Sequence, residues 1–184
     1  MPPLSDLNSR EALDTFYRAS EDPWATRSIP EKRVRYEEID RFLPAGPFAR
    51  ALEVACGEGD FSVRLLRVAR EVWAMDISQV VVERAHSRYP KVRFFQGDVR
   101  ALPIERLRDF DLIVWLDAMY WLSKEESAGV LKRLAEGVPG GSQALVFSAS
   151  IIPRFRTDLS FWDHHDFESP GDFLAHVRQA FPAA

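Results

Sequence analysis

Five short, mostly apolar runs separated by stretches of helix length constrain this chain more than any other feature. The runs are Arg50–Cys56, Glu71–Asp76, Val92–Gln96, Asp111–Leu116 and Gln143–Ala149. Such runs suit parallel strands covered on both faces. Between them lie helix-like stretches at Asp60–Ala69, Ser78–Tyr89 and Ser123–Gly137, with Asp60 and Ser78 as N-caps of the first two. Strand and helix in turn predict a βαβ series, hence an α/β fold with a doubly wound, mostly parallel sheet and right-handed crossovers. Ahead of it, Asn8–Ala19 and Pro30–Phe42 read as two helices joined by a turn containing Glu21-Asp22-Pro23-Trp24. No repeat or low-complexity tract interrupts the pattern. The expectation is one domain over residues 1–184, with a helical cap in 1–45 and the α/β core in 46–184.

Composition narrows the ligand. With 184 residues, 46% hydrophobic and 28% charged, the chain can bury a core without disulfides or metals. A net charge of −4 gives no global attraction to a phosphate backbone or an anionic lipid surface, which favours a small-molecule partner over nucleic acid. The single cysteine, Cys56, excludes an internal disulfide. No apolar run approaches the roughly 20 residues needed to span a bilayer. The opening MPPLSDLNSR lacks the basic and apolar regions of a secretory signal, so a reducing cytoplasm is expected.

The stretch ALEVACGEGD, residues 51–60, sits where the first strand hands over to the first helix, which is where ligands bind in such sheets. Gly57 and Gly59 allow a left-handed turn and a close approach to the backbone. Glu53 places a carboxylate in the same crevice, which suits a cation and discourages a pyrophosphate. Asp76 ends the second strand, about where dinucleotide folds place the acid that takes two ribose hydroxyls. Asp98 ends the third and is placed to accept from an adenine amino group, with Ile77 and Val99 sandwiching the ring. Acids on three consecutive strand ends form one rim, and a nucleoside carrying positive charge fits it.

In order and spacing, LEVACGEG, MDIS, GDV, FDLIVWLDAMYWL and PGGSQALVFS resemble the successive motifs of class I S-adenosylmethionine-dependent methyltransferases, over roughly residues 50–150. The lead-in FYRASEDPWATRSIPEKRVRYEEI is similar to that of the nodulation protein S-like members, which N-methylate a chitooligosaccharide, and of bacterial relatives of unassigned substrate. The resemblance implies a Rossmann-like sheet, S-adenosylmethionine as cofactor and S-adenosylhomocysteine as product. It implies that Glu53, Gly57 and Gly59 hold the methionine part, Asp76 the ribose and Asp98 the adenine, with Leu116 and Asp117 beside the sulfonium. Two departures stand out. Ala55 occupies the position of the first of three glycines. After Ala149 the family commonly adds a helix and a final antiparallel strand pair, where this sequence offers only a helix at Pro170–Ala180; either the sheet is short at that edge or the chain is truncated.

For the acceptor, Asp117, Tyr120 and Trp121 follow the fourth strand: a carboxylate to orient an amine or hydroxyl, and aromatic faces to line a pocket. The competing reading of Tyr120 and Trp121 is core packing. The run LDAMYWL lacks the Asn/Asp-Pro-Pro-Tyr/Phe pattern of enzymes that methylate base amines or glutamine amides. A small-molecule or short saccharide acceptor, an amino sugar among them, is therefore expected. Trp24 and Arg33 either line the cofactor site from the cap or pack on the surface. In FWDHHDF, residues 161–167, the spacing does not put metal ligands on one helix face, so no metal is expected, and His164 or His165 is a candidate base. Two other classes compete. An NAD-type oxidoreductase accounts for Gly57, Gly59 and Asp76 but has Ser62 where its third glycine belongs. A non-catalytic cofactor-binding partner module keeps the acids and needs no acceptor pocket.

Overall fold

A computed structural model describes residue 7 and residues 9–137, 144–148 and 170–181. Its elements run α1 (Arg10–Ala19), α2 (Pro30–Phe42), β1 (Phe48–Val54), α3 (Ser62–Leu65), β2 (Ala69–Asp76), α4 (Gln79–Arg88), β3 (Arg93–Gln96), α5 (Ile104–Leu107), β4 (Leu112–Leu116), α6 (Lys124–Gly137), β5 (Ala144–Ser148) and α7 (Pro170–Ala180). The strands form one sheet in the order β3-β2-β1-β4-β5, every neighbouring pair parallel. The order reverses between β1 and β4, so the crevice outside their carboxyl ends is the switch point.

The central strands are mostly apolar toward their carboxyl ends because both faces of the sheet are covered there. On one face Leu52, Val54, Met75, Ile113 and Trp115 pack with Val130, Leu131 and Leu134 of α6 and Val177 of α7. On the other, Ala51, Val72, Ala74, Leu112 and Val114 pack with Phe61 and Leu65. All five residues of β4 are buried, as expected of the strand beside the switch point. A capping box starts α6, where the Glu126 N–H donates to Ser123 Oγ at 3.1 Å and the Ser123 N–H donates to Glu126 Oε2 at 3.0 Å. Ser78 caps α4 as expected, accepting from the Val81 N–H at 3.4 Å.

Other boundaries differ for local reasons. The helix expected over Asp60–Ala69 is a single turn, Ser62–Leu65, followed by tight turns in which Arg67 N–H donates to Arg64 C=O and Val68 N–H to Leu65 C=O. The chain must straighten early because Ala69 pairs with Phe48. Asp60 is not its N-cap; it accepts from the Tyr89 hydroxyl at 2.6 Å. β1 ends at Val54 because Ala55 turns left-handed, with φ of 55°. Val92 is drawn out of β3 by donating to Tyr89 C=O at 3.0 Å.

The cap is tied to the core by polar contacts around a few buried apolar side chains. Asp14 of α1 accepts from the Ser78 hydroxyl at 2.6 Å and the Val80 N–H at 3.3 Å, bridging to the start of α4. Burial opposes ionisation of Asp14, but these two bonds with Arg18 and Arg10 hold its carboxyl below the usual range. Asp40 of α2 accepts from Arg64 at 2.6 Å and Arg67 at 2.9 Å. Among the described residues no helix is long and apolar enough to cross a membrane.

Candidate cofactor and acceptor site

The glycine turn after β1 is built from left-handed residues. Ala55, Gly57 and Gly59 have φ of 55°, 51° and 78°. At Gly59 a side chain is also barred by space, since a Cβ there would lie 2.7 Å from the Phe94 ring and 3.3 Å from the Ala85 Cβ. A side chain on Gly57 would stand 3.5 Å from the Tyr17 hydroxyl oxygen. Ala55 carries a methyl in a conformation that costs an L-residue roughly 1–2 kcal/mol. Asp117, directly after β4, adopts the same conformation with φ of 54°. The two strands flanking the switch point thus both leave the sheet through a strained non-glycine residue.

Inside this turn lie buried acids. Glu53 is 3% exposed and accepts from the Ser62 hydroxyl. Burial pushes its carboxyl up to about 8; Ser62 counters this, and Asp60, Asp76 and Asp117 add to it by repulsion. Asp76, at the end of β2, accepts from the Gly57 N–H at 2.9 Å and the Ser78 N–H at 3.0 Å, so it braces the glycine turn from the neighbouring strand. Burial pushes Asp76 up to about 6 against these bonds. Neither Glu53 nor Asp76 has a cationic partner among the described residues.

The other acids are paired. Asp98 accepts from the Arg100 N–H and Nε at 2.9 and 3.0 Å. Burial raises its pKa, but Arg100 and Arg133 prevail and hold it below the usual range. Asp117 forms an ion pair with Arg35 of α2. Glu58, between the two glycines, is 5% exposed and meets Arg88, Arg27 and Arg84 at 2.7, 3.3 and 3.6 Å.

Aromatic rings of the cap close over the turn. Trp24 Nε1 donates to the Tyr17 hydroxyl at 2.8 Å, and its ring lies 4.6 Å from Phe16 and 5.5 Å from Trp121, centroid to centroid. Trp121 therefore meets the cap from the segment that follows β4. Tyr36 of α2 packs on Phe61 at 5.3 Å, and burial with the nearby Glu53, Asp117 and Asp60 drives its hydroxyl well above the ordinary range.

The structure gathers Glu53, Ala55, Gly57, Gly59, Asp76 and Asp117 at the switch point and sets Trp24 above the turn through Tyr17. Ile77 and Val99 are half-buried beyond the ends of β2 and β3, and Leu116 is buried at the end of β4. The backbone of Tyr120 lies in a one-turn helix, Met119–Trp121. The side chains of Tyr120 and Arg33 and all of His164 and His165 lie outside the described residues. Sequence reasoning missed Tyr17, Arg35, Tyr36 and Asp60. It noticed Ser62 only as an absent glycine, although a hydroxyl nine residues after a strand-end acid was a usable signal. The others were not legible, because Arg35 and Asp117 are 82 residues apart. Among the described residues no three His, Cys, Asp or Glu side chains are grouped to hold a metal ion.

Residues 51–141 match a family described as a methyltransferase domain. Nodulation protein S of Rhizobium tropici is 31% identical over 138 residues, covering 72% of this chain and 56% of that protein. Nodulation protein S of Sinorhizobium fredii is 30% identical over 150 residues, covering 79% of this chain and 67% of that protein. This chain thus spans between about half and two thirds of the length of these relatives. The crystal structure of the N-methyltransferase NodS from Bradyrhizobium japonicum WM9 in complex with S-adenosyl-L-homocysteine aligns with a TM-score of 0.65 at 23% identity, over 76% of this chain and 72% of that one, and shows the same Rossmann-like fold. The chain belongs to the class I S-adenosylmethionine-dependent methyltransferases and is similar to nodulation protein S.

Proposed function

We propose that this chain transfers a methyl group from S-adenosylmethionine to an amine or hydroxyl of a small molecule or short saccharide, an amino sugar being the first candidate. The observation that carries this reading is the pair of buried acids, Glu53 and Asp76, without a cation among the described residues and set around a left-handed glycine turn. Asp76 fits the hydroxyl donors of a nucleoside, and Glu53, whose protonated form burial favours, fits a ligand whose own positive charge would draw it into the ionised form. A dinucleotide is disfavoured by Glu53, which would face a pyrophosphate.

When bound, the cofactor supplies a methyl already activated by its sulfonium. The chain's own work is to bind, orient and exclude water. We assign Asp76 to the ribose hydroxyls, with Gly57 and Gly59 giving bare backbone against the methionine part and Ala55 completing the turn. Asp98, Ile77 and Val99 are assigned to the adenine, Leu116 to the sulfur side, and Trp24 to the cover over the cleft. Asp117 and Tyr120 belong to the acceptor end, and His164 is a base candidate there. A saccharide amine is supported by the kinship with nodulation protein S. A lone buried thiol, Cys56, fits a reducing compartment such as the cytoplasm.

The test is calorimetric titration of the chain with S-adenosylmethionine, S-adenosylhomocysteine and NAD, followed by turnover on a panel beginning with glucosamine and chitobiose. Binding of both sulfur nucleosides and not NAD, then methyl transfer to an acceptor, is expected. Binding of NAD alone would replace the reading with a dehydrogenase, and binding without turnover on any acceptor would replace it with a partner module.

A further inference from the structure

The acids at the strand ends divide by what faces them. Among the described residues Glu53 and Asp76 meet neutral donors: the Ser62 hydroxyl and the backbone of Gly57 and Ser78. Asp117, within electrostatic reach of both Glu53 and Tyr36, carries an arginine on it instead. That arginine comes from the cap helix α2, while Asp117 is held toward it in a left-handed conformation that only tertiary contacts sustain. The side chains are 30% and 24% exposed, so the pair is only partly screened by solvent.

We propose that Arg35 is a specificity-determining residue: by occupying Asp117 it neutralises the acceptor end of the cleft, so that the nucleophile must arrive uncharged, as a hydroxyl or a free-base amine. This deepens the methyltransferase reading and rests on it. The acids at the ends of β1 and β2 are left to the cofactor. Arg35 withholds a second carboxylate that would otherwise attract a protonated amine, which has no lone pair and cannot accept a methyl. An internal cation that repels the wrong protonation state is a repulsive device, and it gains selectivity without improving contacts to the right one.

Two nucleosides that differ at this point, one neutral and one cationic, test it. S-adenosylhomocysteine is neutral at sulfur, whereas sinefungin bears an ammonium group on carbon where the methylated sulfur stands. Their dissociation constants are measured by calorimetry at pH 7.5 for the wild type, Arg35→Gln, Arg35→Lys and the double variant Arg35→Gln/Asp117→Asn. Arg35→Gln is expected to shift the affinity ratio at least tenfold toward sinefungin. Arg35→Lys should keep the wild-type ratio, and the double variant should return to it. An unchanged ratio in Arg35→Gln, with both ligands bound, overturns the proposal. Failure of S-adenosylhomocysteine to bind the wild type overturns the methyltransferase reading and this inference with it, and is a visibly different result. Thermal unfolding of each variant shows that a lost ratio is not a lost fold.

Discussion

Asp76 ends β2, whereas Asp98, expected to end β3, lies two residues beyond that strand's end at Gln96, and the fold treats the two acids oppositely. Asp76 is buried, takes backbone donors alone among the described residues and is pushed up to about 6. Asp98 has Arg100 clasping both of its oxygens and is held below the ordinary carboxylate range despite partial burial. Residue type is the same, so it does not explain the difference. It comes from the next turn of chain: after Asp76 the backbone bends back as Ser78 and starts a helix, while after Asp98 a one-turn helix swings Arg100 onto its own cap. An acid kept without a cation is an unfilled electrostatic demand, and the site is built around two of them.

The comparison can be broken most severely at Glu53, the other acid of the unpaired kind. Its carboxyl is raised from an ordinary 4.5 to about 8, so the folded state favours the protonated form. The stability this contributes is complete below about pH 4.5 and is lost as pH rises through 8. Glu53→Gln cannot ionise. Its thermal stability should match the wild type near pH 4 and exceed it increasingly up to pH 9, by an amount on the order of several kcal/mol. Parallel melting curves across that range would refute a neutral Glu53.

Next in size is Asp76→Ala, which removes the acceptor proposed for two ribose hydroxyls and unbraces Gly57. Calorimetry should show an affinity loss for S-adenosylhomocysteine of about 100-fold, equivalent to two charge-assisted hydrogen bonds partly replaced by water. Asp98→Asn sharpens the contrast. Because Arg100 already satisfies that carboxylate, the same titration should show a loss of only about tenfold. Equal losses at the two positions would mean that pairing does not decide which acid serves the ligand.

The smallest effect is expected at the turn itself. Ala55→Gly relieves a left-handed residue, and urea denaturation should report a gain of about 1 kcal/mol, the conformational relief less the freedom that glycine adds to the unfolded chain. A loss of stability would show that the Ala55 methyl is held by packing worth more than the strain.

Much of the fold was legible before any coordinates. Asp111–Leu116 read as a doubly covered strand because five of its six residues are apolar, and those five, Leu112–Leu116, form β4 and are buried. Ser78 was legible as a cap, since a small hydroxyl residue after a strand-end acid is a helix start. Asp60 looked equally good and was wrong, because the hydroxyl of Tyr89, on the far end of α4, claims its carboxylate. Glu53, Asp76 and Asp98 were all recognisable as acids at or near strand ends. The arginine on Asp98 stands only two residues away and is a local neighbour, whereas no nearby sequence says that Asp117 will meet Arg35.

The sequence by itself determined the layering, the parallel sheet, the place of the crevice and the residues that turn there, because hydrophobic period, cap chemistry and glycine geometry are local properties carried by adjacent residues. Only the tertiary structure decided the charge state of the rim. Whether a carboxylate is buried beside a hydroxyl, braced by a backbone N–H or neutralised by a guanidinium depends on elements brought together from distant parts of the chain, and the field at a buried atom sums over all of them.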